Sequence, residues 1–258
     1  MNKKLNKERQ DETAADSDMQ PIVTTSASIA ASPMLNAVPI NEGECLSWLK
    51  SLPDKCCDIW TDPPYNVGKD YGVWNDAMPD AEYLEWITAV LIECKRVANV
   101  FTVYVPKKWQ LHYWNILGPE WQEIILTYNP EGAIRSGFVN QFNKLFTNAN
   151  PKAHKKYIKN VWHNIRERSH GYYFTEETYG HPGYTSELLS RKVILDLCVS
   201  DIICDPFMGT GTTAVAAIKS GKDFMGCEIN PEYVAIAKKR IEIVKRQPVL
   251  FEDRRHGI

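Results

Sequence analysis

Two short motifs combine acidic, aromatic and glycine residues in patterns that suggest a reactive site. The first is Asp62-Pro63-Pro64-Tyr65, in which two prolines stand between an acid and an aromatic residue. Proline fixes φ, lacks a backbone donor and favours an extended conformation in the residue before it. The motif therefore predicts a stiff corner that holds a carboxylate, a carbonyl and a ring in a fixed arrangement. An isolated Pro-Pro pair is more often a plain loop-entry turn, so the second motif decides the interpretation.

The second motif is the segment 205–211, Asp-Pro-Phe-Met-Gly-Thr-Gly, and the acid Glu228 follows its first residue about twenty positions later. Strand, glycine turn, helix, strand and acid in this order are typical of a nucleotide-binding unit. The glycines let the backbone approach a ligand, and the acid can hold the ribose hydroxyls. The third glycine of the dinucleotide fingerprint is missing, and no lysine follows the turn as in a P-loop. These departures favour a nucleoside with a neutral or cationic substituent, and S-adenosylmethionine is such a ligand.

Alternating strand and helix patterns position both motifs. The apolar run 56–60 predicts a buried strand that ends at the first motif, and 201–204 and 224–227 predict strands that end at Asp205 and Glu228. Open α/β sheets bind ligands at the carboxyl ends of their strands. The pattern predicts an α/β fold with a mostly parallel central sheet and helices on both faces. Further strands are predicted over 100–105 and 121–128, and helices over 44–52, 80–98, 109–117, 184–197, 214–220 and 230–245.

Length and composition indicate one large α/β domain, with room for an inserted lobe, in a chain of 258 residues. Residues 1–37 are polar and then rich in Ser, Thr and Ala, which predicts a flexible tail before a catalytic domain over 38–258. No apolar run approaches membrane-spanning length and no export signal is evident, so we expect a cytoplasmic protein without a membrane partner. The seven cysteines show no C-x-x-C spacing, which predicts reduced, buried thiols and no metal site.

The segment from about 131 to 180 breaks the alternating pattern. It is rich in Lys and Arg, interleaved with aromatic residues and with amides such as Asn140 and Gln141. Cations suit phosphates, rings stack on bases and amides read base edges, so this composition indicates a nucleic-acid surface. A solvated basic loop over the sheet is the alternative. The candidate DNA contacts are Arg135, Lys144, Lys155, Lys156, Arg166 and Arg168.

Taken together, the motifs resemble those of the amino-group DNA methyltransferases, which use S-adenosylmethionine. The first matches that family's catalytic D-P-P-Y, the segment 205–212 matches its cofactor loop D-P-F-x-G-[ST]-G-T, and Glu228 matches its ribose acid. The catalytic motif comes first and the cofactor loop last, with the basic segment between them, as in the circularly permuted β-class. In that class the target-recognition region lies between the two halves, so residues 131–180 are expected to hold it as an insertion.

The resemblance implies a Rossmann-like S-adenosylmethionine-dependent methyltransferase fold, DNA as the substrate and a homodimer, because β-class relatives are often dimers. Glu44 stands where the family's G-D-C turn has the acid that approaches the cofactor adenine. His181-Pro182 resembles the family's W…HP stretch, but the lysine and proline that commonly follow are absent. The implied catalytic residues are Asp62, Pro63, Pro64 and Tyr65. The implied cofactor contacts are Glu44, Asp62, Asp205, Pro206, Phe207, Gly209, Thr210, Gly211, Thr212, Glu228 and Ile229.

The residue types agree with methyl transfer to an exocyclic amino nitrogen. The lone pair of that nitrogen is delocalised into the base, and hydrogen bonds to the Asp62 carboxylate and the Pro63 carbonyl would localise it. Tyr65 can stack on the base once it is flipped out of the duplex. An acid at position 62 favours adenine-N6, because cytosine-N4 members commonly have Ser there. A cytosine-N4 enzyme, an RNA adenine methyltransferase and a catalytically silent DNA-binding relative are the alternatives.

Overall fold

The computed structural model describes residues 40–127, 142–150, 157–163, 181–183 and 185–246, and the predicted tail over 1–37 lies outside these ranges. The described strands are β1 (Ile40–Glu42), β2 (Cys57–Thr61), β3 (Ala98–Val105), β4 (Gln122–Thr127), β5 (Phe142–Thr147), β6 (Val161–His163), β7 (Ile202–Asp205) and β8 (Asp223–Glu228). The described helices are α1 (Cys45–Ser51), α2 (Asp80–Val97), α3 (Gln110–Leu117), α4 (Glu187–Leu197), α5 (Thr212–Lys219) and α6 (Pro231–Arg246), and a 3-10 turn, Lys107–Trp109, precedes α3.

All the described strands join one sheet in the order β1-β8-β7-β2-β3-β5-β4-β6. Neighbours from β1 through β3 are parallel, β4 and β6 are parallel, and β5 runs antiparallel to both β3 and β4. The strand that leads into the first motif, β2, lies between β7 and β3 and is buried along its whole length. Because β2 and β7 are parallel neighbours, their carboxyl ends meet at the same edge, which brings the two motifs together.

Helices cover both faces of the sheet, as the sequence predicted. Successive side chains of a strand point to opposite faces. In β2, Ile59 packs into a core built with α1, α2 and α3, which contains Leu91, whereas Trp60 packs into a second core built with α4, α5 and α6, which contains Val193. The mostly parallel sheet with its two helical layers confirms the predicted α/β fold class.

Two strands lie in the segment where the sequence pattern predicted no sheet element. β5 pairs with β3 and β4, and β6 pairs with β4. The sequence pattern did not reveal these two strands, and the described parts of residues 131–180 extend the sheet. In β5 only Leu145 and Phe146 are deeply buried apolar residues, and polar Asn143 and Lys144 precede them, so the strand is too short to show a periodicity.

A buried carboxylate fixes β2 at the edge opposite the motifs. Asp58 is completely buried and accepts hydrogen bonds from Val100 N at 2.9 Å, from Val199 N at 2.5 Å and from Ser200 N at 2.7 Å. These bonds tie β2 to β3 and to the loop between α4 and β7. The corner at the other end of β2 therefore begins from a strand whose position is set by polar contacts as well as by packing.

The thiols follow the expectation from the sequence. All seven cysteines are free; six are buried, and Cys56 is half-buried. Within the described ranges, no group of three or more His, Cys, Asp or Glu side chains is arranged to hold a metal ion. No helix in the described part of the chain combines the length and the apolar character that crossing a membrane requires.

Candidate active site

The first motif forms a corner at the carboxyl end of β2, and its acid is held by two hydroxyl groups. The Tyr65 hydroxyl donates a hydrogen bond to Asp62 Oδ1, and Thr185 Oγ1 donates one to Asp62 Oδ2 at 2.6 Å. These two bonds fix the orientation of the Asp62 carboxylate.

Aromatic residues hold the rest of the corner. The Tyr83 hydroxyl donates to the Pro64 carbonyl at 2.9 Å, and Trp109 Nε1 donates to the Tyr65 carbonyl at 2.8 Å. The Tyr65 ring stacks on the Tyr104 ring with 6.1 Å between centroids and 23° between planes. Burial, together with the nearby Asp62 charge, raises the pKa of Tyr65 well above its ordinary value, so its hydroxyl remains a donor at neutral pH. Neither the Tyr83 hydroxyl nor Trp109 Nε1 donates to the Pro63 carbonyl.

The loop after the motif, residues 66–78, is closed by a buried acid that the sequence pattern did not reveal. The Asp76 carboxylate accepts hydrogen bonds from Asn66 N at 2.7 Å, Val67 N at 3.1 Å and Lys69 N at 3.0 Å. Asn66 has a φ of 56°, in the left-handed region that asparagine tolerates. Its side-chain Nδ2 donates to the Met78 carbonyl, and its Oδ1 accepts a hydrogen bond from Met78 N. Asn66 thus holds the loop, which we refer to below as the post-motif loop.

The second motif forms a tight turn between β7 and α5. Gly209 and Gly211 have φ values of 51° and 86°, which favour glycine. A Cβ atom at Gly211 would lie 2.8 Å from Ala237 Cβ, so glycine also permits the close approach of α6. From α6, Arg240 Nη1 donates to the Thr210 carbonyl at 2.6 Å. The glycine turn is therefore held in place by α6, which lies outside the motif.

Asp205, the last residue of β7, links the two motifs. It is 4% exposed and accepts hydrogen bonds from Thr61 Oγ1 at 2.7 Å, Thr213 Oγ1 at 2.6 Å and Phe207 N at 3.0 Å. Burial raises the pKa of Asp205 to about 6, against the effect of these three donors and with a smaller contribution from the Asp62 charge. The acid thus joins β2, β7 and α5 at the point where the two motifs meet.

Glu228 ends β8 beside the glycine turn, as the nucleotide-binding pattern predicts. Its Oε2 accepts a hydrogen bond from Gly209 N at 2.7 Å, and its Oε1 accepts one from Asn230 N at 2.8 Å. Burial raises the pKa of Glu228 by more than these bonds lower it. The bonds hold the carboxylate in place and leave further acceptor positions for the two hydroxyls of a ribose.

Glu44 has a structural function in addition to the ligand contact that the resemblance implies. It is the N-cap of α1 and accepts hydrogen bonds from Leu46 N and Ser47 N, each at 2.8 Å. Partial burial disfavours its charged form, but these hydrogen bonds prevail and lower the pKa of Glu44. Gly43 N donates to the Glu228 carbonyl at 3.0 Å, so the cap lies next to the end of β8. The contact of Glu44 with an adenine stays a prediction.

A cleft runs between the two motifs. Its lining combines Trp60 and Asp62 of the β2 end, the residues Asp205, Phe207, Met208, Gly209, Thr210, Thr212 and Thr213 of the second motif and its helix, and His181, Gly183 and Thr185 of the segment before α4. None of these lining residues is lysine or arginine. A cleft with carboxylates and no lining cation suits a ligand that carries positive charge, and it does not suit a phosphate.

His181 closes one side of the cleft as a neutral side chain. Its ring packs on the rings of Tyr71 and Tyr233, with centroid distances of 5.5 and 4.6 Å, and a Cβ at Gly209 would lie 3.0 Å from its Nε2. Burial and the nearby charge of Lys69 lower the pKa of His181 to about 4. His181 therefore shapes the cleft and carries no charge near neutral pH.

The predicted site residues are distributed unevenly over the structure. Those of the two motifs meet at one edge of the sheet, with Pro206 inside the turn and Ile229 next to Glu228. Of the candidate DNA contacts only Lys144 is described, and it lies on β5, where it forms an ion pair with Glu123. The others, Arg135, Lys155, Lys156, Arg166 and Arg168, lie outside the described residues.

Several functional contacts could not be found from the sequence. Thr185 and Asp62 are separated by 123 positions and Thr61 and Asp205 by 144, so no local pattern connects them. Arg240 lies in an ordinary amphipathic helix and looks like a solvent-facing cation. Only Thr213 gave a local signal, since it directly follows the glycine turn.

The substitution Asp205→Asn is expected to change how stability depends on pH. The folded-state pKa of about 6 lies above the ordinary value of 3.8, so the folded protein binds this proton more tightly than the unfolded chain does. The stability that this proton contributes is fully present below about pH 4 and is lost as the pH rises through 6. Urea unfolding between pH 4 and 7.5 should show that wild-type stability, relative to the Asn variant, falls by about 3 kcal/mol. A difference that does not vary with pH would contradict the assignment.

Comparison with known proteins agrees with this geometry. The model of a family described as DNA methylase matches residues 58–134 and 99–239. DNA adenine methyltransferase YhdJ of Escherichia coli (strain K12) is 27% identical over 253 residues, covering 80% of this chain and 83% of that protein. Type II methyltransferase M.HpaI of Haemophilus parainfluenzae is 30% identical over 222 residues, covering 75% and 71%.

Solved structures show the same fold. The complex of M1.HpyAVI with SAM matches with a TM-score of 0.55 and 22% identity over 79% of this chain and 98% of that chain. The cytosine-N4-specific PvuII DNA methyltransferase matches with a TM-score of 0.57 and 17% identity over 80% and 89%. The family match spans most of the sheet and both motifs, and the chain belongs to the N6/N4 DNA methylases, the DNA methyltransferases that modify exocyclic amino groups.

Proposed function

We propose that this DNA methyltransferase is adenine-specific and transfers a methyl group from S-adenosylmethionine to the N6 amino group of a flipped-out adenine at a specific sequence. The observation that supports the proposal is the position of Asp62. Its carboxylate, the Pro63 carbonyl and the Tyr65 ring form one corner, and Asp62 lines the cleft that the glycine turn also lines.

S-Adenosylmethionine is the cofactor, and when bound it supplies an electrophilic methyl group on a sulfonium centre. The residues present fit this ligand. Among the described residues, the cleft is lined by the carboxylates of Asp62 and Asp205 and by no lysine or arginine, which matches a ligand with sulfonium and ammonium groups. Glu228, held by Gly209 N and Asn230 N, has acceptor positions for the ribose hydroxyls. The positive φ of Gly209 lets the backbone of the turn pass close to the nucleoside.

The corner acts on the amino nitrogen through hydrogen-bond acceptors. A base amino group is a weak nucleophile because its lone pair is shared with the ring. The Asp62 carboxylate and the Pro63 carbonyl accept hydrogen bonds from the two N–H groups of the base, and these bonds return electron density to the amino nitrogen. Tyr65 and Thr185 hold the carboxylate in one orientation, so the acceptors are in place before the base arrives, and catalysis consists mainly of positioning. After methyl transfer the nitrogen loses one proton along its hydrogen bond to Asp62, and the Asp62 carboxylate accepts that proton.

The base must leave the duplex to reach this corner. A paired adenine uses its N6 amino group in the base pair and is stacked on both faces, whereas Asp62 is half-buried in a cleft. A flipped base can stack on the aromatic side chain of Tyr65, whose backbone carbonyl is fixed by Trp109. We propose that residues 131–180, including those outside the described ranges, contact the surrounding DNA through their cations.

Two observations favour adenine over cytosine. An acid stands at position 62, where the cytosine-N4 members of the resembled family commonly have Ser. The relative YhdJ, whose name describes it as a DNA adenine methyltransferase, is 27% identical over 80% of this chain. The homodimer stays a prediction, and gel filtration with light scattering measures it.

The identity of the modified base tests the proposed function. Cells that express the protein should yield DNA in which digestion and mass spectrometry detect N6-methyladenine, and methylation-sensitive sequencing should place it in one short sequence. DNA from the same cells without the protein is the control. N4-methylcytosine alone would contradict the adenine assignment, and methylation of RNA but not of duplex DNA oligonucleotides would contradict the DNA substrate.

The hydrogen bond from Thr185 predicts a second result. Thr185→Val keeps the shape of the side chain but removes the donor to Asp62 Oδ2. We expect kcat to fall by about 10- to 100-fold, because a misaligned acceptor loses positioning energy, while KM for DNA and the Kd for S-adenosylmethionine change by less than about 3-fold. Thr185→Ser, which keeps the hydroxyl, should retain most of the wild-type kcat.

Steady-state kinetics of the two Thr185 variants test whether the Thr185 hydroxyl positions Asp62. Equal kcat for Val and wild type would show that the hydroxyl does not position Asp62. An equal loss in the Val and Ser variants would point to packing by the methyl group instead.

A further inference from the structure

We propose that Lys69, in the post-motif loop, binds the carboxylate of the methionine portion of S-adenosylmethionine and so orients the cofactor in the cleft. The inference rests on the proposed function, because it requires that cofactor. It assigns a ligand contact to a residue outside both motifs.

The charge balance of the cleft creates the need for such a cation. Asp62 and Asp205 line it, and no lining residue in the described part of the chain is lysine or arginine. The sulfonium and the ammonium of the cofactor suit these acids, but its carboxylate would be repelled by them. His181 cannot supply the missing charge, because burial and Lys69 lower its pKa to about 4 and keep it neutral. A cation from outside the lining would offset this repulsion.

The ammonium of Lys69 lies close to the cleft, beside Tyr65 and Gly183. Its Nζ is 5.7 Å from the centroid of the Tyr65 ring. The same Nζ is 3.5 Å from the point where a Cβ of Gly183 would stand, and the Tyr71 hydroxyl is 2.8 Å from that point. Gly183 itself lines the cleft. An ammonium and a hydroxyl thus converge where the wall has no side chain, which is a donor pair suited to a carboxylate.

The other contacts of the ammonium are weak. Among the described residues, Lys69 Nζ forms no hydrogen bond or ion pair, and its contact with the Tyr65 ring is a distant and therefore weak cation–π interaction. By contrast, Lys108 also lies over a ring, that of Trp109, but forms an ion pair with Asp80 at 2.8 Å. A carboxylate that enters the cleft can therefore recruit the Lys69 ammonium without breaking a stronger contact.

The backbone holds Lys69 in this position. Lys69 N donates to the buried Asp76 carboxylate at 3.0 Å, and Asn230 Nδ2 donates to the Tyr71 carbonyl at 3.0 Å. Asn230 N in turn donates to Glu228, the acid for the ribose. The post-motif loop is thus connected to the ribose end of the site, so the two contacts for opposite parts of the cofactor are held in a fixed relation.

Isothermal titration calorimetry with two ligands tests the proposal on the full chain. S-Adenosylmethionine carries the carboxylate, and decarboxylated S-adenosylmethionine lacks only that group. Lys69→Met should weaken binding of the first by about 10- to 100-fold, since a charged hydrogen bond is lost, and binding of the second by less than about 2-fold. Lys69→Arg should retain part of the affinity. Lys108→Met, which removes a lysine over an aromatic ring outside the cleft, should leave both affinities unchanged.

Other outcomes would overturn the proposal. Equal weakening of both ligands by Lys69→Met would show that Lys69 acts through the loop or Tyr65 and not through the carboxylate. Unchanged cofactor binding with weakened binding of duplex DNA, measured by fluorescence anisotropy, would assign Lys69 to a phosphate. If the wild-type protein bound neither cofactor compound, the proposed function itself would fail, and that result differs from a failure confined to Lys69.

Discussion

The buried hydrogen bonds of Asp205 are the interaction on which the rest of the site depends. This carboxylate accepts from Thr61, the last residue of β2, and from Thr213 in α5, and so joins segments that lie 144 positions apart in the chain. Burying the charge is unfavourable, as the rise of its pKa to about 6 shows, and the three donors offset part of that cost. The bonds place the end of the catalytic strand next to the glycine turn, and the transfer of a methyl group between two ligands requires that proximity.

Around this junction, hydroxyl groups and one guanidinium set the positions of the reacting groups. Tyr65 and Thr185 orient Asp62, and Arg240 of α6 holds the glycine turn through Thr210. Each contact is short, polar and partly buried, so it restricts geometry more strongly than an exposed surface contact would. The site is consequently rigid at the acceptor and at the nucleoside, and the less restrained contact is the ammonium of Lys69 close to the cleft.

The sequence predicted the fold where local patterns carry the information. The buried strand 56–60, the glycine turn and the strand before Glu228 appear in the structure within a few residues of their predicted bounds, because apolar runs and turn residues act locally. β5 was not predicted because its sequence lacks a strong alternation of apolar and polar residues. In the structure, its pairing with β3 and β4 holds it in the sheet. β1 was missed because it has only three residues, of which Ile40 alone is apolar. The partners of Asp62 and Asp205 follow from tertiary packing, which one chain read in order does not reveal.

The central claim is that the Asp62 carboxylate activates an amino nitrogen. Single-turnover transfer of a labelled methyl group to a duplex containing the target sequence, at saturating S-adenosylmethionine, measures that step directly. Asp62→Ala should lower the transfer rate by at least about 100-fold, the effect of removing one preorganised polar group from a reacting centre, while circular dichroism shows an unchanged fold. An undiminished rate in the folded variant would contradict the account.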